Sequence, residues 1–284
     1  MYSLIIIMQE VAAILNRLSI AVQFAVVICL FAYFLLLSQV IKLREVKLWM
    51  LAWLADAAAL AAVFVHAYAE MPAIGHRITL VLYLAGKAVF AILIVSGARN
   101  HLRPGSEPQM HPVFLAAFIS VWSLILGFAV PRLWQAQLAE SMLIGMVFLI
   151  GGATVLRRPR SLVSRWLGWA MLLEGVVFTY SAVLLFPALW GNTAGFEYLT
   201  YSSFIDAWAE LMLAFACIAA LADRREELLH YANQELLESQ QRLSRLVDTD
   251  PLTNLSNRRS LRKAMDSVID SGGAVIFIDI NNFK

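Results

Sequence analysis

The residues best able to do chemistry stand where charge is least expected. Asp56, Lys87, Glu174, Asp206 and Glu210 lie inside long apolar stretches, and His66 lies nearer the end of one of them. Such groups are costly facing lipid, so they are expected to face inward and pair, and each is a functional candidate by default. Lys87 lies near the middle of its stretch, at a depth that Glu174 or Glu210 could match, so an ion pair is expected there. Two readings stay open: a structural pair that holds helices together, or part of a ligand site. More specific chemistries find too few residues. A retinal sensor needs a lysine deep in the last of seven helices, and the stretch 199–221 has none; a haem sensor needs axial histidines within spans, and only His66 qualifies, with His76 in the adjoining loop.

The elements that must position these groups follow from composition. The chain has 284 residues, 61% hydrophobic and 15% charged, with mean hydropathy +0.72. A soluble domain is roughly 45–50% apolar, so a soluble globular protein is excluded. The apolar excess lies almost wholly before residue 222. A bilayer core needs about 20 apolar residues of helix, because only helices and closed barrels satisfy their backbone groups in lipid. Seven segments qualify, at 18–41, 48–69, 78–98, 112–130, 138–156, 166–186 and 199–221. The expected fold is therefore mostly α, with a seven-helix transmembrane bundle over 18–221 behind an N-terminal extracytoplasmic segment, 1–17. The fifth segment is the weakest, with Glu140 at its start and Gly151-Gly152 near its end. The run Ile5 to Ile7 is too short to span, and no small-residue cleavage pattern marks a signal peptide.

Positive residues in short loops set orientation. With the N-terminus outside, the inner loops hold Lys42, Arg44 and Lys47, then Arg99 and Arg103, then Arg157, Arg158, Arg160 and Arg165, with Arg224 and Arg225 after the last span. The outer segments hold only Arg17, Arg77 and Arg132. An odd number of spans then delivers everything after residue 221 to the cytoplasm. The formal net charge of +2 is sorted by loop rather than gathered into a patch, so no nucleic-acid partner is expected. Cys29 and Cys217 both lie in apolar runs, so neither a disulfide framework nor a thiolate metal cage is expected.

From Ala222 the composition turns to helix formers free of Gly and Pro. Leu229, Leu236 and Leu243 repeat every seven residues, with Ala232, Ser239 and Leu246 at the intervening core positions. This heptad seam over 222–247 predicts a linker helix that dimerises with help from both its ends; the bland alternative is an amphipathic helix packed on its own domain. After it, Pro251 pushes Asp250 out of helical geometry, and Asn254 suits a tight turn. Ser256 or Asn257 can cap a new helix to about Asp270, closed by Gly272-Gly273. The apolar, β-branched run 274–280 reads as a buried strand, with Asp279 where it meets a loop.

Here the residues carry a resemblance. DPLTNLSNRR from Asp250 to Arg259, followed by VIFIDINNFK from Val275 to Lys284, resembles the opening of a GGDEF domain. That domain, the catalytic part of diguanylate cyclases, has the pattern D-x-L-T-G-L-x-N-R-R and then a hydrophobic strand ending D-x-D-x-F-K. The resemblance implies that 248–284 is the first helix and strand of an α/β, nucleotide-cyclase-palm-like domain, incomplete because only about its first quarter is present. It implies condensation of two GTP into cyclic di-GMP by paired domains, with Mg2+ or Mn2+ held by carboxylates. Asp279 would be the first metal ligand, with the carbonyl of Ile280 also reaching the metal, and Asn282, Phe283 and Lys284 would contact the nucleotide's phosphates. Without the motif, Asp279 reads as a cap for a following helix. No catalytic residue is assigned.

Two positions depart from the pattern. Asn254 replaces the usual glycine, which a turn accommodates, and Asn281 replaces the second aspartate. The GGDEF loop, the second metal carboxylate and the guanine-reading residues would lie further on, so the chain alone is expected to be catalytically incomplete and poorly packed from about residue 248. The resemblance implies a bacterial inner-membrane sensor, multi-pass in membrane lipid and homodimeric through 222–247. The alternatives are a degenerate GGDEF protein that binds nucleotide or a partner, and a seven-span receptor or transporter with a vestigial tail.

Overall fold

The computed structural model describes residues 2–104, 112–130, 132–192, 195–250, 253, 255–268, 272 and 276. Its elements are α1 (Tyr2–Val40), α2 (Arg44–Tyr68), α3 (Ala73–Leu102), α4 (Pro112–Ala129), α5 (Leu133–Arg157), α6 (Leu162–Leu185), a 3₁₀ turn (Phe186–Trp190), the short α7 (Phe196–Leu199), α8 (Ser202–Asp248) and α9 (Arg258–Val268). The chain divides into two compact units, Met1–Arg224 and Arg225–Lys284. Among the described residues, six helices, α1, α2, α3, α5, α6 and α8, contain stretches long and apolar enough to cross a bilayer, and the chain is a mostly helical membrane protein.

Three details add to the sequence reading. α5 runs unbroken for 25 residues through Gly151-Gly152. Those glycines serve packing, because a Cβ on Gly152 would stand 2.8 Å from the Gly168 carbonyl oxygen and one on Gly151 would stand 2.7 Å from Met171 Cε. Gly145 meets Thr179 in the same way, and Gly175 meets Leu149, so α5 and α6 approach at backbone distance, as small residues allow in lipid. α4 is shorter, and its 18 residues cover about 27 Å at 1.5 Å per residue. Finally, α1 is already helical from Tyr2, for no Gly or Pro interrupts residues 2–40.

The core of the first unit draws on all six long helices: Val27 and Phe34 of α1, Trp49 and Trp53 of α2, Phe90 and Ile94 of α3, Ile144 and Phe148 of α5, Leu167 and Met171 of α6, and Leu213 and Cys217 of α8 are buried in one cluster. An aromatic row crosses it. Phe34 stacks on Trp53 at 6.1 Å between ring centroids, Trp53 meets Phe90 at 5.2 Å, Phe90 meets Phe148 at 5.9 Å, and Phe148 stacks on Phe178 at 6.4 Å. These are the offset and edge-to-face spacings that aromatic pairs prefer. Trp49 Nε1 donates to the Ile94 carbonyl at 3.2 Å, which requires glycine at position 97. The opposite faces carry exposed apolar side chains such as Leu36, Ile125, Ile150, Val183 and Phe215, a surface that suits lipid and not water.

α4 lies antiparallel against α3 at its C-terminal end. Arg77 of α3 donates to the carbonyls of Gly127 and Val130, satisfying backbone acceptors that the end of α4 leaves open. α6 begins with a capping box between Ser161 and Ser164.

In the second unit, the heptad leucines Leu229, Leu236 and Leu243 are exposed. Asp250 Oδ1 accepts from the Thr253 amide at 3.0 Å, a turn that follows the helix end. Asn257 is the cap of α9: its Oδ1 accepts from the amides of Arg259 at 3.0 Å and Ser260 at 3.1 Å. Gly272 has φ +70°, the left-handed geometry that glycine adopts freely. No strand occurs among the described residues beyond a single antiparallel bridge, Thr249 with Ser256. Of the expected strand 274–280, only Ile276 is described, and it is exposed and outside any strand.

Candidate functional site

The intramembrane charges come together. Lys87 Nζ of α3 lies 2.7 Å from Asp56 Oδ1 of α2 and 3.3 Å from Glu210 Oε1 of α8, with all three side chains at most 3% exposed. Glu210 Oε1 also accepts from Gln23 Nε2 of α1 at 2.9 Å. Four helices are thus tied through one lysine and one glutamate. Lys87 Nζ stands 5.8 Å from the centre of the Phe90 ring, the middle member of the aromatic row.

Of the two expected partners of Lys87, Glu210 is present and Glu174 is not. Glu174, on α6, is fully buried with no hydrogen-bond partner for either oxygen among the described residues. Asp56 takes the place sequence reasoning gave to Glu174. Its signal was its own presence in an apolar stretch, but nothing in the sequence states which face of α2 meets α3. Glu140 is buried as well, with no hydrogen-bond partner for either oxygen among the described residues. It looked like a flaw at the edge of a span, yet α5 begins at Leu133, which puts Glu140 two turns inside. Asp206 of α8 completes the group, near Lys87 and carrying no hydrogen bond from a described side chain.

The bundle interior thus holds one ammonium, paired with Asp56 and Glu210, and the further carboxyl groups of Glu140, Glu174 and Asp206. The cluster is short of positive charge and of hydrogen-bond donors, and buried polar groups in that condition are destabilising. A cavity of about 480 Å³ reaches it, with Gln23, Tyr83, Lys87 and Asp206 among its polar lining. Asn16, Arg132 and Ser202 line it too, and the last two stand where α5 and α8 begin.

The opposite end of the first unit holds a second polar network. Asn100 Nδ2 donates to Glu45 Oε2 at 2.8 Å, joining α3 to α2. Ser161 Oγ, which caps α6, also donates to Asp223 Oδ2 of α8 at 2.7 Å. At the other end of α2 from Glu45, His66 and His76 meet edge to face at 4.8 Å, and His66 Nδ1 lies 2.9 Å from Thr79 Oγ1. Tyr198, beyond the spans, shares a hydrogen bond with Ser181 at 2.9 Å; burial pushes its hydroxyl up to about 12, so it stays protonated.

No family model, curated protein or solved structure matches this chain. Function must therefore be argued from the residues. Asp279, Ile280, Asn282, Phe283 and Lys284, the metal and phosphate contacts that the resemblance implies, lie outside the described residues. Among the described residues, no group of three or more His, Cys, Asp or Glu side chains is arranged to hold a metal ion.

Proposed function

We propose that the chain is the sensor and signalling helix of a membrane-bound diguanylate cyclase, with seven spans, its N-terminus outside and its C-terminal segment in the bacterial cytoplasm. The supporting observation is the position of Glu210. It shares Lys87 with Asp56 in the bundle interior, and it lies on α8, the helix that carries the heptad leucines further along. A change in how Lys87 divides its contacts between α2 and α8 shifts or turns α8, and the shift alters how two copies present their output domains. Counting α4 as the seventh span gives the odd number that puts the N- and C-termini on opposite sides, in keeping with the positive loops. The exposed Leu229, Leu236 and Leu243 supply a seam for a second copy.

The output follows from the motif resemblance. Asp279 and the Ile280 carbonyl would hold Mg2+ or Mn2+, which when bound activates a 3′-hydroxyl and neutralises phosphate charge. Asn282, Phe283 and Lys284 would contact the phosphates of GTP. The test uses the protein of the complete reading frame, purified in detergent with GTP and Mg2+. Cyclic di-GMP should form, and Asp279→Ala should abolish it. Nucleotide binding without product would favour the degenerate reading that Asn281 suggests, and neither binding nor product would overturn the nucleotide assignment.

A further inference from the structure

We infer that the cavity beside Lys87 is a binding site for a small organic ammonium ion, an amine with an apolar body, held by Asp206. This rests on the sensor reading above and names the class of its ligand.

Charge selects the ligand's sign. Of the two cations among the described residues that line it, Arg132 is exposed, and the Lys87 ammonium already has two carboxylates, at 2.7 and 3.3 Å, and has little left to offer an anion. Asp206 is in the opposite condition. It lines the cavity and carries no hydrogen bond from a described side chain, and Phe178, one helical turn along α6 from the fully buried, unpartnered Glu174, lines the cavity too. A donor with positive charge is what this wall lacks, and a primary ammonium supplies three N–H groups on a compact head.

Shape and lining select the rest. Leu60, Val63 and Phe178 give the cavity an apolar side, and Tyr83 and Trp134 add aromatic surface on which an ammonium-bearing molecule can lie. A volume of about 480 Å³ falls in the range of small-molecule sites, roughly 300–1,000 Å³. The occupant would touch α8 through Asp206, one turn before Glu210, so binding acts on the helix that Lys87 shares with α2.

The test is calorimetric titration of the full chain in lipid nanodiscs with phenethylammonium, 2-phenylethanol and phenylacetate, which share a body and differ in charge. Phenethylammonium should bind saturably and at least tenfold more tightly than the other two. Asp206→Asn should weaken it about tenfold or more, while Asp206→Glu keeps most of the affinity. Equal binding of the three probes, preference for phenylacetate, or no saturable binding to the wild-type chain overturns the inference without any variant having to fold. Undiminished amine binding by a folded Asp206→Asn also overturns it. Asp206-dependent binding that leaves cyclic di-GMP output of the complete protein unchanged would uphold the site and reject the sensor reading, so the two failures are distinct.

Discussion

Lys87 Nζ of α3 stands 2.7 Å from Asp56 Oδ1 of α2 and 3.3 Å from Glu210 Oε1 of α8, so one buried ammonium bridges two other helices. Breaking a buried pair by removing one partner leaves the other charge uncompensated, at a cost of about 3–5 kcal/mol. Lys87→Met should lower the unfolding midpoint of the chain in detergent. Adding Asp56→Asn should recover part of the loss. A single variant as stable as wild type would mean that the pair holds nothing together.

Gly97 is constrained by its neighbour rather than by its backbone. A Cβ there would stand 2.2 Å from Trp49 Nε1, the atom that donates to the Ile94 carbonyl. Gly97→Ala should therefore displace Trp49 and destabilise the bundle by about 1–3 kcal/mol, the usual cost of overpacking a filled core. The check is thermal unfolding together with a red shift of Trp49 emission in a chain that retains only that tryptophan. An unshifted emission maximum would contradict the packing.

Lipid exposure distinguishes the tryptophans. Trp166 and Trp169 are exposed and apolar in a helix long enough to span, whereas Trp49 and Trp53 are fully buried. In single-tryptophan variants reconstituted with brominated lipid, the first two should be strongly quenched and the last two nearly unaffected. Similar quenching of all four would place the wrong face toward lipid.

Ser161 does two things at once, capping α6 and donating to Asp223 of α8. Ser161→Ala should cost about 1 kcal/mol through the lost cap. It should also speed hydrogen exchange at the Ser164 amide, and Asp223→Ala should not reproduce that local effect. Equal acceleration by both variants would show that the cap depends on the link to α8.

Much of the architecture was legible before any coordinates, because hydropathy in lipid leaves the backbone few options. The six long apolar helices, the break after residue 248 and the Asn257 cap all follow from local chemistry. What the sequence did not carry was rotation about each helix axis. Asp56 and Glu140 were visible as charges, but which of them met Lys87 depends on how α2, α3 and α5 turn toward one another, and that is set by glycines and aromatics far along the chain. Gly151-Gly152 read as a weakness for the same reason, since a glycine that breaks an isolated helix lets two helices touch in a bundle.

The tie between the buried charges and the output is best measured in cells carrying the complete reading frame, by comparing cyclic di-GMP in wild type, Lys87→Met and Glu210→Gln at matched amounts of membrane protein. Both variants should move the level in the same direction by about fivefold or more, the scale of a typical coupling between sites. Wild-type levels in both would contradict a sensor working through Lys87 and Glu210, and would leave their cluster a purely structural pairing.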